Sequence, residues 1–464
     1  MKKLIMILTA LLPVSLGAQQ TLSLQDCRDL AVRSSKELDQ ARIEVEMAGY
    51  DRKIALANYF PEISANGAYL HNNRDIALVS DEKATMFTNF CAFADQLLPV
   101  SGPINAIAGD IDKAMHPDIH DIYLGGISLK QPVFVGGKIV YSNQMAALAE
   151  ELAESKLDQK YADIIVDVDQ AYWQIVSISN KKKLAESYSS LLHRMQEDVR
   201  RSVEAGVATE SDELQIKVKA NEAEMLLTKS TNGLELAKML LCKRIGLPLD
   251  SEIILADEES SFIPVPELCE AKDMEQVYAD RPETRSLSLA GQVFERKAKV
   301  ARADMLPKVA LTANYFVNNP NCYDGFQNKW NGGMLSAGVV VSVPIFHGME
   351  ATNKYRKAKA EARLYGDRYD DAKDLIRLQV AKQRKLLEEA AEKLSMSESN
   401  LANAEENLRK ANVGYEAGVT STETVLGAQT AWLSAHGDYI DAGIELQMAY
   451  AMLQKAEGNI KSNE

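Results

Sequence analysis

Past its first eighteen residues the chain has no run of eighteen or more apolar residues, so ordinary membrane-spanning helices are excluded. Any bilayer crossing must then use β-strands. Cysteine is sparse: five in 464 residues (Cys27, Cys91, Cys242, Cys269, Cys322), with no CxxC spacing, exclude a disulfide scaffold and a thiolate metal site. An odd count leaves one thiol unpaired within a subunit, and Cys91 with Cys322, both in outward loops on the reading below, form a candidate pair. Positive charge is in deficit, 52 Lys and Arg against 66 Asp and Glu for a net charge of −14, which argues against nucleic-acid binding. Enzymatic signatures are missing: there is no GxxxxGKS/T phosphate loop, no GxSxG elbow and no HExxH helix. Of six histidines only His116 and His120 are close, and no third ligand of matching spacing follows, so a surface loop is the reading rather than a metal site. No catalytic residue, cofactor or metal is expected.

What is present begins with Lys2 and Lys3 ahead of an apolar stretch from Leu4 to Leu16 and a small-residue exit at Gly17-Ala18, the pattern of a cleaved secretory signal. The mature chain then starts near Gln19. No cysteine sits at the exit, which argues against a lipid anchor.

The sequence also repeats itself. Gln131-Pro132-Val133-Phe134-Val135-Gly136 resembles Val343-Pro344-Ile345-Phe346-His347-Gly348, 212 residues on. Glu204-Ala205-Gly206-Val207-Ala208-Thr209 matches Glu416-Ala417-Gly418-Val419-Thr420-Ser421, and Leu241 to Gly246 matches Leu453 to Gly458, both at the same offset. A long stretch duplicated without net insertion implies packed helical material. Upstream, Ala57 to Ile63 resembles Ala303 to Val309 at an offset of 246, so the first half carries the longer outer loop.

From Lys138 to Ala205 and from Glu350 to Ala417 there is no proline, and Ala, Leu, Glu, Lys and Gln dominate. Each stretch predicts one helix of about 68 residues, roughly 100 Å long. In the second, Leu387, Leu394, Leu401, Leu408 and Tyr415 recur every seven residues, with Ala390, Ser397, Ala404 and Ala411 three positions later, a coiled-coil seam of small residues. Gly206 and Gly418 end these helices at turns, and return helices start at Asp212 and Glu423. Strands are expected at Glu62 to Leu70, Ile127 to Lys130, Lys308 to Phe316 and Leu335 to Val343, whose alternation fits lipid on one side and water on the other. Pro132 and Pro344 are expected to terminate strands at the barrel-to-helix junctions, with Gly136 and Gly348 turning the chain. Four strands cannot close alone and an open edge is not viable in lipid, so a barrel must be shared, by two copies with eight strands or three with twelve.

The segments therefore read as signal peptide (1–18), first-repeat N-terminal helix (19–60), first β-hairpin with a long extracellular loop (61–134) and first long helical hairpin (135–246). An equatorial connector (247–275), containing Asp257-Glu258-Glu259, leads to the second-repeat N-terminal helix (276–306), second β-hairpin (307–346), second helical hairpin (347–458) and C-terminal tail (459–464). Within the first hairpin loop, about Asn72 to Asp121, Met86, Phe90, Phe93 and Leu97 follow helical spacing. Trp173 and Trp432 lie in helical stretches and read as packing residues.

Taken together, the Pro-aliphatic-Phe-Gly type junctions and the glycine turns at matched positions resemble the TolC-like outer-membrane efflux protein family over essentially the whole mature chain. The resemblance implies a mainly α protein with a membrane β part. Long antiparallel coiled-coil hairpins would form a periplasmic α-barrel, and four strands per chain would join a shared twelve-stranded barrel in a homotrimer. It implies an outer-membrane location in a Gram-negative bacterium, contact with outer-membrane lipid, a periplasmic adaptor (membrane fusion) protein, and an inner-membrane transporter of RND or ABC type. The turns Gly206-Val207-Ala208-Thr209 and Gly418-Val419-Thr420-Ser421 would form the periplasmic tip and meet the adaptor. Asp212 and Tyr415 fall where the family has a gate link. Where members of the family carry an arginine link and acidic rings after the second glycine, this chain has Thr420, Thr424 and Gly427, with Glu423 the nearby carboxylate at a pore constriction. The rival to a gated efflux or secretion conduit is a secreted or periplasmic coiled-coil structural protein or adhesin without a pore.

Overall fold

The computed structural model describes residues 20–73, 83, 86, 89, 93, 120–258, 266, 271–323, 328–346 and 348–461. The signal segment, Cys91, Cys269, His116, Phe90, Leu97 and Glu259 lie outside the described residues; within the first loop Met86 and Phe93 are helical and exposed.

The chain opens with a short strand β1 (Gln20–Leu22) and helices α1 (Leu24–Ser34) and α2 (Lys36–Ala57). Strands β2 (Glu62–His71) and β3 (Asp121–Phe134) lead to the long helix α3 (Lys138–Glu204) and its return α4 (Glu210–Ile245). The second half repeats the plan after a short strand β4 (Ile253–Leu255): α5 (Met274–Asp280), α6 (Pro282–Ala303), β5 (Lys308–Asn319), β6 (Met334–Ser342), α7 (Glu350–Glu416) and α8 (Thr422–Ala456). The long helices α3 and α7 each span 67 residues, as the proline-free stretches require.

Three features depart from the sequence reading. Each N-terminal helix of the repeats is two helices, broken at Ser35 and at Arg281, which are 246 residues apart. The connector is pinned by β4, which pairs in parallel with β1 (Gln20 with Ile253, Leu22 with Leu255), a contact that strands of three residues do not announce. Pro132 does not terminate its strand: β3 runs on to Phe134 through a register shift between Pro132 and Phe134, and the bulge accommodates the missing donor. Pro344, by contrast, follows the end of β6.

The chain divides into two compact units, each built from both repeats. The first comprises 1–47, 151–289 and 365–464. Its largest apolar cluster unites Cys27 and Ala31 of α1, Tyr172, Ile175 and Val176 of α3, Leu241 of α4 and Leu255 of β4. Tyr172 Oη donates to Asp257 at 2.6 Å, and Arg28 grips the buried Asp169 carboxylate through Nε and NH2, both at 2.7 Å. Trp173 packs edge-on to Tyr172, as a core residue. The heptad seam also packs as its spacing dictates: Leu387 and Ala390 bury against Leu446 and Leu453 of α8. The second unit, 48–150 and 290–364, holds one antiparallel sheet in the order β2-β3-β5-β6.

Candidate functional site

The sheet's register fixes which side chains share a face. Opposite one another across the four strands stand Ile63, Leu129, Ala313 and Ala337, and next to them Ala65, Ile127, Tyr315 and Leu335. This face is apolar over these rows, with Leu311, Tyr315, Leu335, Val339 and Val341 exposed on it, while Gln131 stands beside Leu311, and Asn319 and the His71–Asp121 pair lie toward its other end. The alternate positions are mixed: Ser64 bonds Ser128 across the pair at 2.7 Å, with Lys130, Thr312, Asn314, Ser336 and Ser342 on the same side, while Leu124, Phe316, Met334 and Val340 there are apolar. Tyr69 and Tyr123 pack with ring centroids 5.0 Å apart, and Trp330 lies 6.2 Å from Tyr123, an aromatic cluster at one end of the apolar face. One lipid-compatible face, one hydrated face and an aromatic margin are what a strand-borne membrane segment needs.

At the junctions, Gly136 (φ 65°) needs its left-handed backbone and its lack of a side chain. A Cβ there would lie 2.8 Å from the Ala303 carbonyl oxygen and 2.9 Å from Leu306 Cβ. Lys138, opening α3, bonds Asp304 at 2.9 Å. Gly348 has the same backbone sign, but nothing lies within 4 Å of its Cβ position.

The two helical turns are geometrically equivalent. Val207 and Ala208 N–H both donate to the Ser202 carbonyl, and Val419 and Thr420 N–H both donate to the Gly414 carbonyl; Gly206 and Gly418 each have φ 74°. The return helix α4 starts with a capping box in which Thr209 Oγ1 accepts from Asp212 N–H while the Asp212 carboxylate accepts from Thr209 N–H and Oγ1–H. Those bonds hold the Asp212 carboxyl below its ordinary pKa. Ser421 caps α8 through Thr424 N–H and also bonds Thr424 Oγ1 at 3.0 Å. Val207 and Val419 are exposed at the turn apices.

Behind the turns, helices from both hairpins share an apolar cluster: Leu192 and Val199 of α3, Ile216 and Ala220 of α4, Ala411 of α7, and Val425 and Ala428 of α8. Tyr415 lies half-buried against it. The structure brings Tyr415 into the packing between hairpins but does not join it to Asp212 by a hydrogen bond, since among the described residues the Asp212 carboxylate serves its own cap. Glu423 is exposed in the first turn of α8, and nothing lies within 4 Å of a Cβ at Gly427.

Two residues at this end escaped the sequence reading. Gly414 leaves room for the Thr420 side chain, whose Oγ1 a Cβ there would force to move; a second glycine so close to Gly418 was the available signal. Gln429 is 1% exposed, its Nε2 reaches only Met195 Sδ at 3.6 Å, and its Oε1 has no partner among the described residues.

Of the other expected sites, Cys322 is exposed and free, while its suggested partner Cys91 is not described. His120 Nδ1 pairs with the Asn72 carbonyl, and no group of three metal-ligating side chains occurs among the described residues. No described helix is long and apolar enough to cross a membrane.

Long helical hairpins and a four-stranded antiparallel sheet, each present in two repeats' worth of elements, are the parts of an outer-membrane channel. Residues 28–243 and 274–459 match the outer membrane efflux protein family, and the chain belongs to it. Membership makes the chain a transport-channel component, not an enzyme. It is 23% identical over 340 residues to the alkaline protease secretion protein AprF of Pseudomonas aeruginosa, covering 72% of this chain and 69% of that protein. It is likewise 23% identical over 311 residues to the cobalt-zinc-cadmium resistance protein CzcC of Cupriavidus metallidurans, covering 67% and 71%. In fold it is similar to the Campylobacter jejuni CmeC outer membrane channel, with a TM-score of 0.77 at 15% identity over 95% of this chain and 87% of that one.

Proposed function

We propose that this chain is one subunit of a homotrimeric outer-membrane conduit that passes cargo from a periplasmic adaptor and an inner-membrane pump of RND or ABC type to the exterior. The carrying observation is the sheet: four antiparallel strands with an apolar-rich face opposite one that carries polar rows, ending in the edges β2 and β6. Open edges cannot stand in lipid, so copies must close the sheet. Two copies would give eight strands, whose interior side chains fill, whereas three give twelve and leave room for a path. Export through the segment 1–18 delivers the chain to the outer membrane of a Gram-negative bacterium, with the helical turns in the periplasm.

Gating belongs to the same proposal. The turns at Gly206 and Gly418, with Val207 and Val419 exposed, suit an apolar adaptor contact. Opening would loosen the cluster shared by the hairpins. A hydrogen bond from Tyr415 Oη to Asp212 would add a latch, because the carboxylate has lone pairs beyond those used by Thr209. Glu423, Thr424 and Gly427 would line the narrowest part after threefold assembly. Similarity to both a protease secretion protein and a metal resistance protein supports assigning cargo choice to the pump.

The test is extraction of the outer membrane followed by mass measurement in detergent. Three chains per particle that fall out of solution without detergent support the reading; a detergent-independent monomer refutes it. Unchanged single-channel conductance in Tyr415→Phe combined with Asp212→Ala would remove that pair as the latch.

A further inference from the structure

The sheet contains one hairpin twice. In the first, Glu62 faces Lys130 and Ile63 faces Leu129; in the second, Lys308 faces Ser342 and Val309 faces Val341. Advancing β2 by 246 residues and β3 by 212 converts the first register into the second with no slip. The seam joining the hairpins, β3 with β5, is also fixed, with Ile127 facing Tyr315, Gly126 facing Phe316 and Ser128 facing Asn314.

Carried forward by the same two offsets, that seam sets β6 against β2 of another copy. We propose that this is the seam between subunits, resting on the channel reading above. Val339 then faces Tyr69 of the partner subunit, Gly338 faces Leu70 of the partner subunit and Val340 faces Ala68 of the partner subunit.

Chemistry independent of the numbering agrees. Tyrosine meets a β-branched aliphatic in both seams, Tyr315 with Ile127 and Tyr69 with Val339. A glycine meets a large side chain in both. In the internal seam a Cβ on Gly126 would come within 2.9 Å of the Tyr315 carbonyl and 3.8 Å of Phe316 Cδ2. At Gly338 a Cβ would meet only Thr312 Oγ1 at 4.0 Å, which leaves the space that Leu70 of the partner subunit would take.

The strand ends tell the same story. Gln131, Pro132 and Phe134 are paired to β5, whereas their repeat equivalents Val343, Pro344 and Phe346 have no ladder partner among the described residues. Ile345 and Phe346 are 94% and 78% exposed, an apolar edge that isolated proteins avoid. Beside them a cavity of about 540 Å³ is lined by Met305, Pro344, Phe346 and Met349 together with the charged Asp304, Lys308, Glu350 and Lys354. In the first junction the corresponding space at Gly136 is closed by Leu306, whose repeat equivalent is Phe60. Phe60 is 70% exposed in one protomer, and Phe60 of the partner subunit is the group that the offset brings to Gly348.

The occupant of this edge is thus a second copy in a defined register, which disulfide trapping in the full chain reads directly. Facing residues on paired strands are within disulfide reach, while a four-residue slip moves them roughly 13 Å apart. The double variants V340C/A68C and S342C/N66C should convert detergent trimers on oxidation into covalent dimers and trimers that reduction dissolves. V340C/S64C should show no more cross-linking than the parent chain with its native cysteines. Preferential trapping of V340C/S64C, or intact trimers in which neither in-register pair cross-links, overturns the proposed seam. A chain that stays monomeric in detergent overturns the trimeric reading instead.

Discussion

Gln429 offers the sharpest handle on tip energetics. Its side chain is buried between α8 and α3 with one weak sulfur contact and an unpartnered carbonyl oxygen. A buried polar atom without a partner costs about 1–3 kcal/mol, a cost that ends when loosened helices admit water. Gln429→Leu keeps the approximate volume and removes the polar atoms, so the packed arrangement gains that difference relative to the loosened one. At tenfold per 1.4 kcal/mol the opening constant should fall about 5- to 150-fold for each subunit that loosens. Single-channel recording of the variant should show open probability reduced by that factor with unit conductance unchanged, and its thermal unfolding should move upward. An open probability that stays constant or rises would refute the reasoning, because it would mean that the buried amide does not oppose the packed state.

Four further outcomes are expected. Arg28→Ala strands the Asp169 carboxylate, whose side chain is 2% exposed, and should cost about 3–5 kcal/mol in unfolding experiments, most of it recovered in Arg28→Met with Asp169→Leu. Gly206→Ala and Gly418→Ala, at φ 74° with open space around the Cβ position, should each cost about 1–2 kcal/mol of backbone strain alone; Gly414→Ala should cost more, as faster hydrogen exchange at Val419 and Thr420 would show. The Asp212 carboxyl is held below its ordinary value by Thr209, so its contribution is present above the unfolded pKa of about 3.9 and is lost as pH falls through the lower folded value. Acid titration monitored at the α4 start should show this loss, and Thr209→Val, which removes the hydroxyl donor but keeps the backbone N–H, should reduce it. Burial pushes the Cys27 thiol up to about 12, so at pH 8 mass spectrometry should find Cys27 unalkylated until the chain unfolds while exposed Cys322 reacts readily.

The long helices were legible because proline is absent from them and because a gapless duplication leaves little freedom for anything but packed helices. Observed ends at Glu204 and Glu416 fall one residue short of the expected Ala205 and Ala417. The strands Lys308–Asn319 and Met334–Ser342 were legible through period-two alternation, which survives when one face meets an apolar medium. Pro132 misled for a physical reason: a bulge removes the need for its missing donor, and sequence carries no sign of that bulge. The β1–β4 pair is three residues long and joins segments far apart in sequence, so periodicity cannot announce it. At the tip, the glycines were readable as turn chemistry, whereas the caps at Thr209 and Ser421 emerge from the structure and the isolation of Gln429 depends on which helix faces it. Asp212 illustrates the same limit, since its carboxylate is committed to Thr209 three residues away.

The central claim, that copies of this chain close a conducting barrel, is tested most directly by planar-bilayer recording of the purified mature protein with its detergent mass measured alongside. Discrete conductance steps from a particle of three chains are the predicted result. A soluble species that forms no channels would contradict the account and leave the two-faced sheet without a lipid to face.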